Sequence, residues 1–145
     1  MILDIHLLKL NFKDQDFSII KNIRKKVFAN ELNITESELF DKYDEICDHY
    51  ILFDGKHVVG SIRFLKTNDE IKLERMVILS EFRGKNYGKS AILQLTEYYH
   101  MMGYSKMTLD SIFSVKDFYK KCGFIEEGKV FKRVGIDHIR MSLTL

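Results

Sequence analysis

One stretch of the sequence decides the fold: Glu74-Arg75-Met76-Val77-Ile78-Leu79-Ser80-Glu81-Phe82-Arg83-Gly84-Lys85-Asn86-Tyr87-Gly88-Lys89-Ser90. An apolar run typical of a strand passes through a basic, glycine-containing turn into an amphipathic helical pattern. Backbone N–H groups at a helix N-terminus have no partner within the helix and lie at the positive end of its dipole. The stretch therefore predicts a strand, an anion-binding turn and a helix, and Arg83, Lys85 and Lys89 add positive charge at the turn.

The spacing of the glycines excludes two common phosphate-binding loops. A P-loop requires Gly-x-x-x-x-Gly-Lys-Ser/Thr, but Gly84 and Gly88 are too close together, and the dinucleotide fingerprint Gly-x-Gly-x-x-Gly is absent. Residues 83–88 instead resemble the coenzyme A pyrophosphate loop of the GNAT superfamily of N-acetyltransferases, Arg/Gln-x-x-Gly-x-Gly/Ala. Asn86 replaces the first glycine of that pattern, and asparagine enters left-handed backbone conformations more readily than other non-glycine residues.

A second motif strengthens the resemblance, because it follows the loop in the order found in GNAT sequences. Residues 118–124, Phe118-Tyr119-Lys120-Lys121-Cys122-Gly123-Phe124, resemble the Tyr-x-x-x-Gly-Phe signature that follows the fifth strand. Further matches, to the ElaA-like branch, span nearly the whole chain: Ile23-Arg24, Val27-Phe28, Glu31, Asp41, Asp44, His49-Tyr50, Gly128-Lys129-Val130-Phe131 and Gly135-Ile136-Asp137-His138-Ile139-Arg140-Met141.

Two departures from the ElaA-like pattern fall where the acceptor would be chosen. Sequences of that branch usually carry Glu-Gln after the first helix and Ala-Gln at the end of strand five. This chain has Glu31-Leu32 and Ser111-Ile112 at the two places. The resemblance therefore implies the chemistry of the family more firmly than the identity of the acceptor.

The composition is that of one soluble globular domain, residues 1–145, with one hydrophobic core. Hydrophobic residues make up 46% and charged residues 30%, and a net charge of +2 gives no electrostatic case for binding nucleic acid or a membrane. Cys47 and Cys122 lack metal-ligand or disulfide spacing, so we expect free thiols and no metal. With no signal-peptide pattern and no run of membrane-spanning length, the sequence predicts a cytoplasmic protein.

The periodicity predicts the order of the elements. Leu3, Ile5 and Leu7 alternate as in a first strand, and a helix begins within residues 14–16. Thr35-Glu36-Ser37-Glu38 has the form of a capping box, which predicts a second helix before an acidic loop at residues 41–48. That loop is either solvated or attracts a cationic amine.

The rest of the chain is predicted to contain a hairpin, the helix of the quoted stretch and a second strand–helix unit. Asp54-Gly55 is a hairpin turn between strands at 49–53 and 57–65, and the next strand covers residues 71–79. The helix after the turn is predicted to end near Gly103 and to bury Ile92, Leu93, Leu95 and Thr96. Strand five at 107–109, a short helix at 114–121 and two strands complete the chain.

The resemblance implies an α+β fold, the GNAT fold: a mixed, mostly antiparallel sheet of six to seven strands with helices on both faces, splayed between strands four and five. It also implies that acetyl-CoA lies in that gap, with its pantetheine along strand four and its pyrophosphate at the turn. The implied cofactor contacts are Met76, Val77, Ile78, Arg83, Gly84, Lys85, Asn86, Tyr87, Gly88, Lys89 and Ser90. A bulky residue at Gly88 is then expected to abolish cofactor binding.

In this family an amine attacks the thioester directly, so the site must supply oxyanion donors and a proton for the thiolate. Tyr119 is predicted to give that proton, because a phenol of pKa about 10 can protonate a thiolate of pKa about 8.5 at modest cost. The Ile78 backbone N–H is the inferred oxyanion donor. Glu74 is a candidate base, unless it pairs with Arg75 or is a solvated strand residue. Asp110, Glu31, His49 and His138 are equal candidates, and bulk water is the alternative if the amine is only weakly basic. The candidates for acceptor binding are Glu31, His49, Asp110 and His138, whereas His6, His57 and His100 are assigned to the surface.

Three functions are consistent with these residues. The first is acetyl transfer from acetyl-CoA to a primary amine of a small molecule or peptide. The second is a non-catalytic acyl-CoA-binding or regulatory module, which the changed Leu32 and Ile112 positions would permit. The third is an acyl-homoserine-lactone-type synthase, which the short length and the absence of tryptophan disfavour. The identity of the amine and the acyl chain stay open, as does a strand-mediated homodimer of the kind common in similar folds.

Overall fold

The structure, a computed structural model, describes residues 4–145, so Leu3 of the predicted first strand lies outside the described residues. In these residues the strands are β1 (Ile5–Leu10), β2 (Asp48–Asp54), β3 (His57–Lys66), β4 (Glu70–Ile78), β5 (Lys106–Ile112), β6 (Ile125–Arg133) and β7 (Ile136–Thr144). The α-helices are α1 (Phe17–Arg24), α2 (Glu36–Leu39), α3 (Tyr87–Met101) and α4 (Lys116–Lys121). Within residues 4–145, no helix is both long and apolar enough to cross a membrane.

The strands form one mixed sheet in the order β1-β2-β3-β4-β5-β7-β6. All neighbours are antiparallel except β4 and β5, which are parallel and pair only from Glu70 with Lys106 to Leu73 with Leu109. Beyond those positions the two strands separate. The α+β class, the seven-stranded sheet and the splay between strands four and five are thus confirmed.

A bulge in β4 lies just past the point where β4 leaves β5. The register with β3 shifts between Ser61 and Arg63, and Arg75 has a φ of 53°. A bulge adds a residue to one strand, bends it and redirects its side chains. The bulge therefore bends β4 where its second edge becomes unpaired.

The helices cover both faces of the sheet, as adjacent residues of β2 show. Tyr50 and Leu52 pack in a core cluster with α3, whereas Ile51 packs with Phe17 and Ile20 of α1. Successive side chains of a strand point to opposite faces, so α1 and α3 lie on opposite sides of the sheet. The sheet is consequently buried on both faces at its centre.

Two local sequence predictions need correction. Leu93 was expected in the core but is 49% exposed, because the buried stripe of α3 is formed by Ala91, Ile92, Leu95 and Tyr99. At α2, Thr35 makes no side-chain cap hydrogen bond within the described residues. The capping box forms instead at Asp41 and Asp44, six residues later in the chain than the predicted one.

The acidic loop at residues 41–48 is partly solvated, since Glu45 is exposed, but its Asp41 and Asp44 carboxylates are paired with arginines and are not free to attract an amine. Arg63 donates through Nη1 to Asp41 at 2.8 Å and to Asp44 at 2.9 Å, and Arg24 donates to Asp44 at 3.0 Å. The side chains of Arg24, Asp44 and Arg63 are each 1% exposed. We call Arg24, Asp41, Asp44, Arg63 and Glu74 the arginine cluster; it joins α1, the 41–45 turn, β3 and β4.

The arginine cluster should make stability depend on pH. Burial raises the pKa of Asp44, but the charge of Arg24 and the hydrogen bond from Arg63 outweigh it and hold the pKa below its usual range. Because the folded pKa is lower than the unfolded one, the stabilisation is complete above about pH 4 and is lost as the pH falls through the folded value.

We predict that Asp44→Asn lowers the free energy of unfolding by about 3 kcal/mol at neutral pH, since it leaves buried guanidinium groups uncompensated. Urea unfolding at neutral and acidic pH measures the effect and its pH dependence. Asp137→Asn, at an exposed ion pair with Lys132, is the matched control and should change the free energy by less than about 1 kcal/mol. Equal effects of the two substitutions would contradict the prediction.

Candidate active site

Two cavities meet where β4 and β5 separate. The hairpin cavity, of about 470 Å³, lies between the 27–39 segment, β4, β5 and the β6–β7 hairpin. The α3 cavity, of about 580 Å³, lies between the 82–89 turn, β4 and α4. Met76, Ile78, Arg83, Val115 and Tyr119 line both. The splay therefore connects the two sides of the sheet through one passage.

The turn before α3 has the geometry of an anion site. Asn86 is the N-cap residue with a φ of 67°, so the left-handed conformation predicted for it is confirmed. The Ser90 amide donates to the Asn86 carbonyl at 3.0 Å, and no side chain among the described residues caps the helix. The N–H groups of residues 87–89 thus have no acceptor within the helix. They lie beside the exposed Lys85 and Lys89.

One cation of the α3 cavity was not predicted from the sequence. Lys121 of α4 lines that cavity together with Lys89. Lys121 belongs to the second motif, at residues 118–124. Its role beside the turn can be recognised only when α4 is known to pack next to the start of α3. No pattern local to the turn could have revealed it.

Gly88 and Tyr87 hold the start of α3 in place by their packing. A Cβ at Gly88 would lie 2.9 Å from Met76 Cε and 3.0 Å from Phe118 Cζ. The Tyr87 hydroxyl donates to the Asp54 carboxylate, and its ring packs edge-on against Phe82. The absence of a side chain at position 88 thus lets α3 approach β4 and α4.

Arg83 and Glu31, which were predicted to contact different ligands, contact each other. Arg83 Nη1 and Nη2 donate to the Glu31 carboxylate at 2.8 and 3.2 Å, and Nε donates to the Ile78 carbonyl at 2.8 Å. The two side chains are 45% and 36% exposed. Glu31 lines the hairpin cavity and Arg83 both cavities, so this ion pair stands at the junction.

The backbone of the last residues of β4 is open on its β5 side. Val77 pairs with Ser61 and Ile78 with Gly60 of β3, while the pairing with β5 has ended at Leu73. Met76 and Ile78 line both cavities. A strand edge with unpaired N–H and C=O groups can accept an extended ligand.

Tyr119 stands at the junction of the cavities. Its ring packs edge-on against Phe118 and Phe124 at centroid distances of 5.0 and 6.0 Å, and its hydroxyl lies 3.9 Å from the thioether of Met76. Burial raises the pKa of Tyr119. The phenol is therefore protonated at neutral pH but is a weaker acid than the free tyrosine assumed in the sequence prediction, and its hydroxyl has only a weak acceptor in this position.

The two carboxylates of β4 and β5 at the hairpin cavity are held by cations. Glu74 accepts from Arg63 at 3.0 and 3.3 Å and lies 3.6 Å from Lys72, so its main partner is Arg63 and not Arg75. Asp110 bonds Arg140 at 2.5 Å and Lys72 at 3.0 Å. Burial raises the pKa of Asp110, but the bonds from Arg140 and Lys72 outweigh it and the pKa is lowered. The base role of Glu74 stays a prediction.

The two candidate histidines differ in position. His49 is 0% exposed, with Nε2 2.8 Å from the Asp44 carbonyl and Nδ1 3.5 Å from Arg24. The structure does not bring it to the hairpin cavity, because it packs against the arginine cluster. His138 does line that cavity, stacked on Phe131, and its Nδ1 lies 2.7 Å from the Ile136 carbonyl. That bond requires an Nδ1–H, which leaves Nε2 of a neutral ring as an acceptor.

A mixed sheet that opens between parallel central strands, followed by an uncapped helix N-terminus in a basic turn, defines the acetyltransferases of the GNAT class. Residues 15–145 match the acetyltransferase (GNAT) domain family, and the chain belongs to this family.

Known proteins agree with this assignment. The uncharacterized protein YyaT of Bacillus subtilis is 30% identical over 123 residues, 83% of each chain. Escherichia coli ElaA superposes with a TM-score of 0.79 at 22% identity and covers 95% of this chain and 98% of its own. A spermidine N-acetyltransferase from Vibrio cholerae, in complex with CoA and spermine, gives a TM-score of 0.73 at 21% identity and covers 97% and 95%. The predicted resemblance to GNAT acetyltransferases, ElaA among them, is thus confirmed.

The packing at Gly88 predicts a stability effect that is separate from phosphate contact. Gly88→Leu should lower the free energy of unfolding by about 1–3 kcal/mol, because the new side chain collides with Met76 and the Phe118 ring. Gly84→Ala, at a φ of 74° with open space around its Cβ, is the comparison and should cost about 1 kcal/mol through backbone strain alone. Urea unfolding distinguishes them. A Gly88→Leu protein as stable as wild type would show that the site has unused room.

Proposed function

We propose that the protein is an acetyl-CoA-dependent N-acetyltransferase that moves the acetyl group directly to a primary amine of a small molecule or peptide. The observation that carries this proposal is the unpaired edge of β4 at residues 74–78, which runs between an anion-binding turn and a second cavity. A donor in the α3 cavity and an acceptor in the hairpin cavity would meet at Tyr119. The spermine bound by the Vibrio cholerae relative supports an amine as the acceptor.

The cofactor would occupy the α3 cavity and the β4 edge. Its pyrophosphate would accept from the N–H groups of residues 87–89, with Lys85, Lys89 and Lys121 supplying charge. Its pantetheine amides would pair with the backbone of residues 76–78 as an added strand. This arrangement directs the thioester toward the passage between the two cavities.

The chemistry is an addition and an elimination at the thioester carbonyl. The amine nitrogen forms a bond to the carbonyl carbon, and the oxyanion that develops is stabilised by the Ile78 N–H. The carbon–sulfur bond then breaks, and the Tyr119 hydroxyl gives its proton to the departing sulfur. We assign the proton lost by the amine to Nε2 of His138, directly or through water, because the cations around Glu74 and Asp110 already occupy those carboxylates.

Cofactor binding at the turn can be tested by calorimetric titration with acetyl-CoA. We predict that the double variant Lys85→Glu with Lys89→Glu weakens binding about ten- to a hundredfold, because charge-assisted phosphate contacts are replaced by repulsion. Both side chains are exposed, so folding should be unchanged. Lys132→Glu, an exposed lysine at the far end of β6, is the control. No binding of acetyl-CoA by the wild type would overturn the proposed function.

The role of Tyr119 separates catalysis from binding. Tyr119→Phe should keep the affinity for acetyl-CoA and lower kcat about 10²–10⁴-fold, because the ring packing is kept and the proton donor is lost. Thiol release with a panel of primary amines measures turnover. Tyr98→Phe, at an exposed tyrosine of α3, is the matched control.

The same assay discriminates the alternative function. A wild-type protein that binds acetyl-CoA but releases no thiol with any amine would favour the non-catalytic acyl-CoA-binding module. A Tyr119→Phe variant with unchanged kcat would remove the phenol from the mechanism while leaving the transferase assignment in place. Equal loss of binding in Tyr119→Phe and in the turn variant would also contradict the division of roles.

A further inference from the structure

The charged residues that line the hairpin cavity balance in number: Lys72, Arg75, Arg83 and Arg133 stand against Glu31, Glu38, Glu74 and Asp110. Lys72 joins the arginine cluster to Asp110, since it lies 3.6 Å from Glu74 and 3.0 Å from Asp110. The network so connected contains six cations and four carboxylates: Arg24, Arg63, Lys72, Arg75, Arg133 and Arg140 with Asp41, Asp44, Glu74 and Asp110.

Two cations of this network, Arg133 and Arg140, are 48% and 43% exposed, so water and salt screen their charge. Glu31 is matched by Arg83. Glu38 is exposed, so water and salt screen its charge. The less exposed part of the network thus holds four cations and four carboxylates, so an attraction for anions must come from how a single cation is paired and not from a net charge.

Arg75 is the least compensated member of the network. Its guanidinium makes one ion-pair contact among the described residues, from Nη2 to Asp41 Oδ2 at 3.4 Å. The same oxygen already accepts from Arg63 at 2.9 Å. Burial, followed by the charge of Arg63, lowers the pKa of Arg75 despite the nearby acids. Since a guanidinium has five N–H donors, Arg75 keeps most of its donors for another ligand.

The bulge directs Arg75 to the cavity. Successive residues of a regular strand point to opposite faces, yet Glu74 and Arg75 reach the same group of side chains: Arg63 bonds Glu74 and Asp41, and Arg75 donates to that Asp41. The φ of 53° at Arg75 accounts for this change of direction. Arg75 precedes Ile78 by three residues, a span of about 10 Å along a strand. An anion bound at Arg75 thus lies within the length of a small molecule from the proposed site of acetyl transfer.

We propose that the acceptor amine carries an oxyanion group, a carboxylate or a phosphate, and that Arg75 binds this group, with Arg133 as a second cation. The inference rests on the proposed function and names the substrate class of the same site. A guanidinium matches two oxygens of either group with parallel hydrogen bonds. A polyamine lacks such a group and would leave the remaining donors of Arg75 unmatched, so this site selects against it.

Matched acceptors test the proposal in the wild type. We would measure kcat/KM with ω-amino carboxylates of increasing length, their carboxamides, the corresponding aminoalkyl phosphates and spermidine. The carboxylate or the phosphate should exceed its uncharged or cationic counterpart by about ten- to a hundredfold, the usual loss for one charge-assisted contact. The carboxylate and phosphate arms identify which oxyanion is used.

Variants test whether Arg75 is responsible. Arg75→Gln should remove the preference by raising KM for the anionic acceptor while leaving KM for its carboxamide unchanged, and Arg75→Lys should restore part of it. Arg133→Gln provides a second variant, at a side chain that is 48% exposed. Lys132→Gln, its neighbour on the same hairpin, is the control and should keep the preference. Unchanged affinity for acetyl-CoA shows that each variant is folded.

The outcomes distinguish this inference from the proposed function. Acetylation of carboxamides or spermidine as efficiently as of anionic amines would overturn the inference and leave the transferase function standing. A preference that survives in both Arg75→Gln and Arg133→Gln would overturn the assignment of the two residues. A protein that binds acetyl-CoA but acetylates no amine would overturn both proposals.

Discussion

The parallel strands β4 and β5 pair over only four residues each, and the open site depends on where that pairing stops. Past Leu73 the β5-facing backbone groups of β4 have no strand partner among residues 4–145. A buried backbone N–H or C=O without a partner is costly, so this edge must be met by water or by a ligand that offers amides. The splay is therefore stable only as a hydrated or occupied gap, which is what a binding site requires.

The arginine cluster fixes the shape of this gap. Arg63 reaches from β3 to Asp41, Asp44 and Glu74, so it connects the 41–45 turn to the strand that bears the bulge. Removing one partner from such a buried set leaves a charge uncompensated, which is strongly destabilising. The cluster thus couples the fold of the N-terminal helices to the position of Glu74 and Arg75 at the cavity.

The sequence predicts the helices, the strands and the turn before α3 better than it predicts which side chains of the site pair with each other. Helix and strand order follow from periodicity, and the left-handed Asn86 follows from local backbone preference. The pairing of Arg83 with Glu31 joins residues 52 positions apart, and that of Arg63 with Asp41 joins residues 22 apart, so no local pattern contains them. Arg24 on the apolar face of α1 was the one local sign of a buried charge. His49 was predicted to bind the acceptor but lies beside Arg24. The alternation of side chains along β2 does not tell which face of the strand meets the cavity and which meets Arg24.

The exposed pair of Arg83 and Glu31 connects the two halves of the proposed reaction. An ion pair between side chains this accessible contributes about 0–1 kcal/mol, so a pyrophosphate that attracts Arg83 can displace Glu31 at little cost. In the proposed function the displaced carboxylate faces the hairpin cavity and meets the ammonium form of the arriving amine, while Arg75 meets its anionic end. In this scheme the hairpin cavity offers a free carboxylate at Glu31 and a guanidinium at Arg75 only after the cofactor has bound. The acceptor would therefore bind more tightly to the cofactor-bound enzyme than to the empty one.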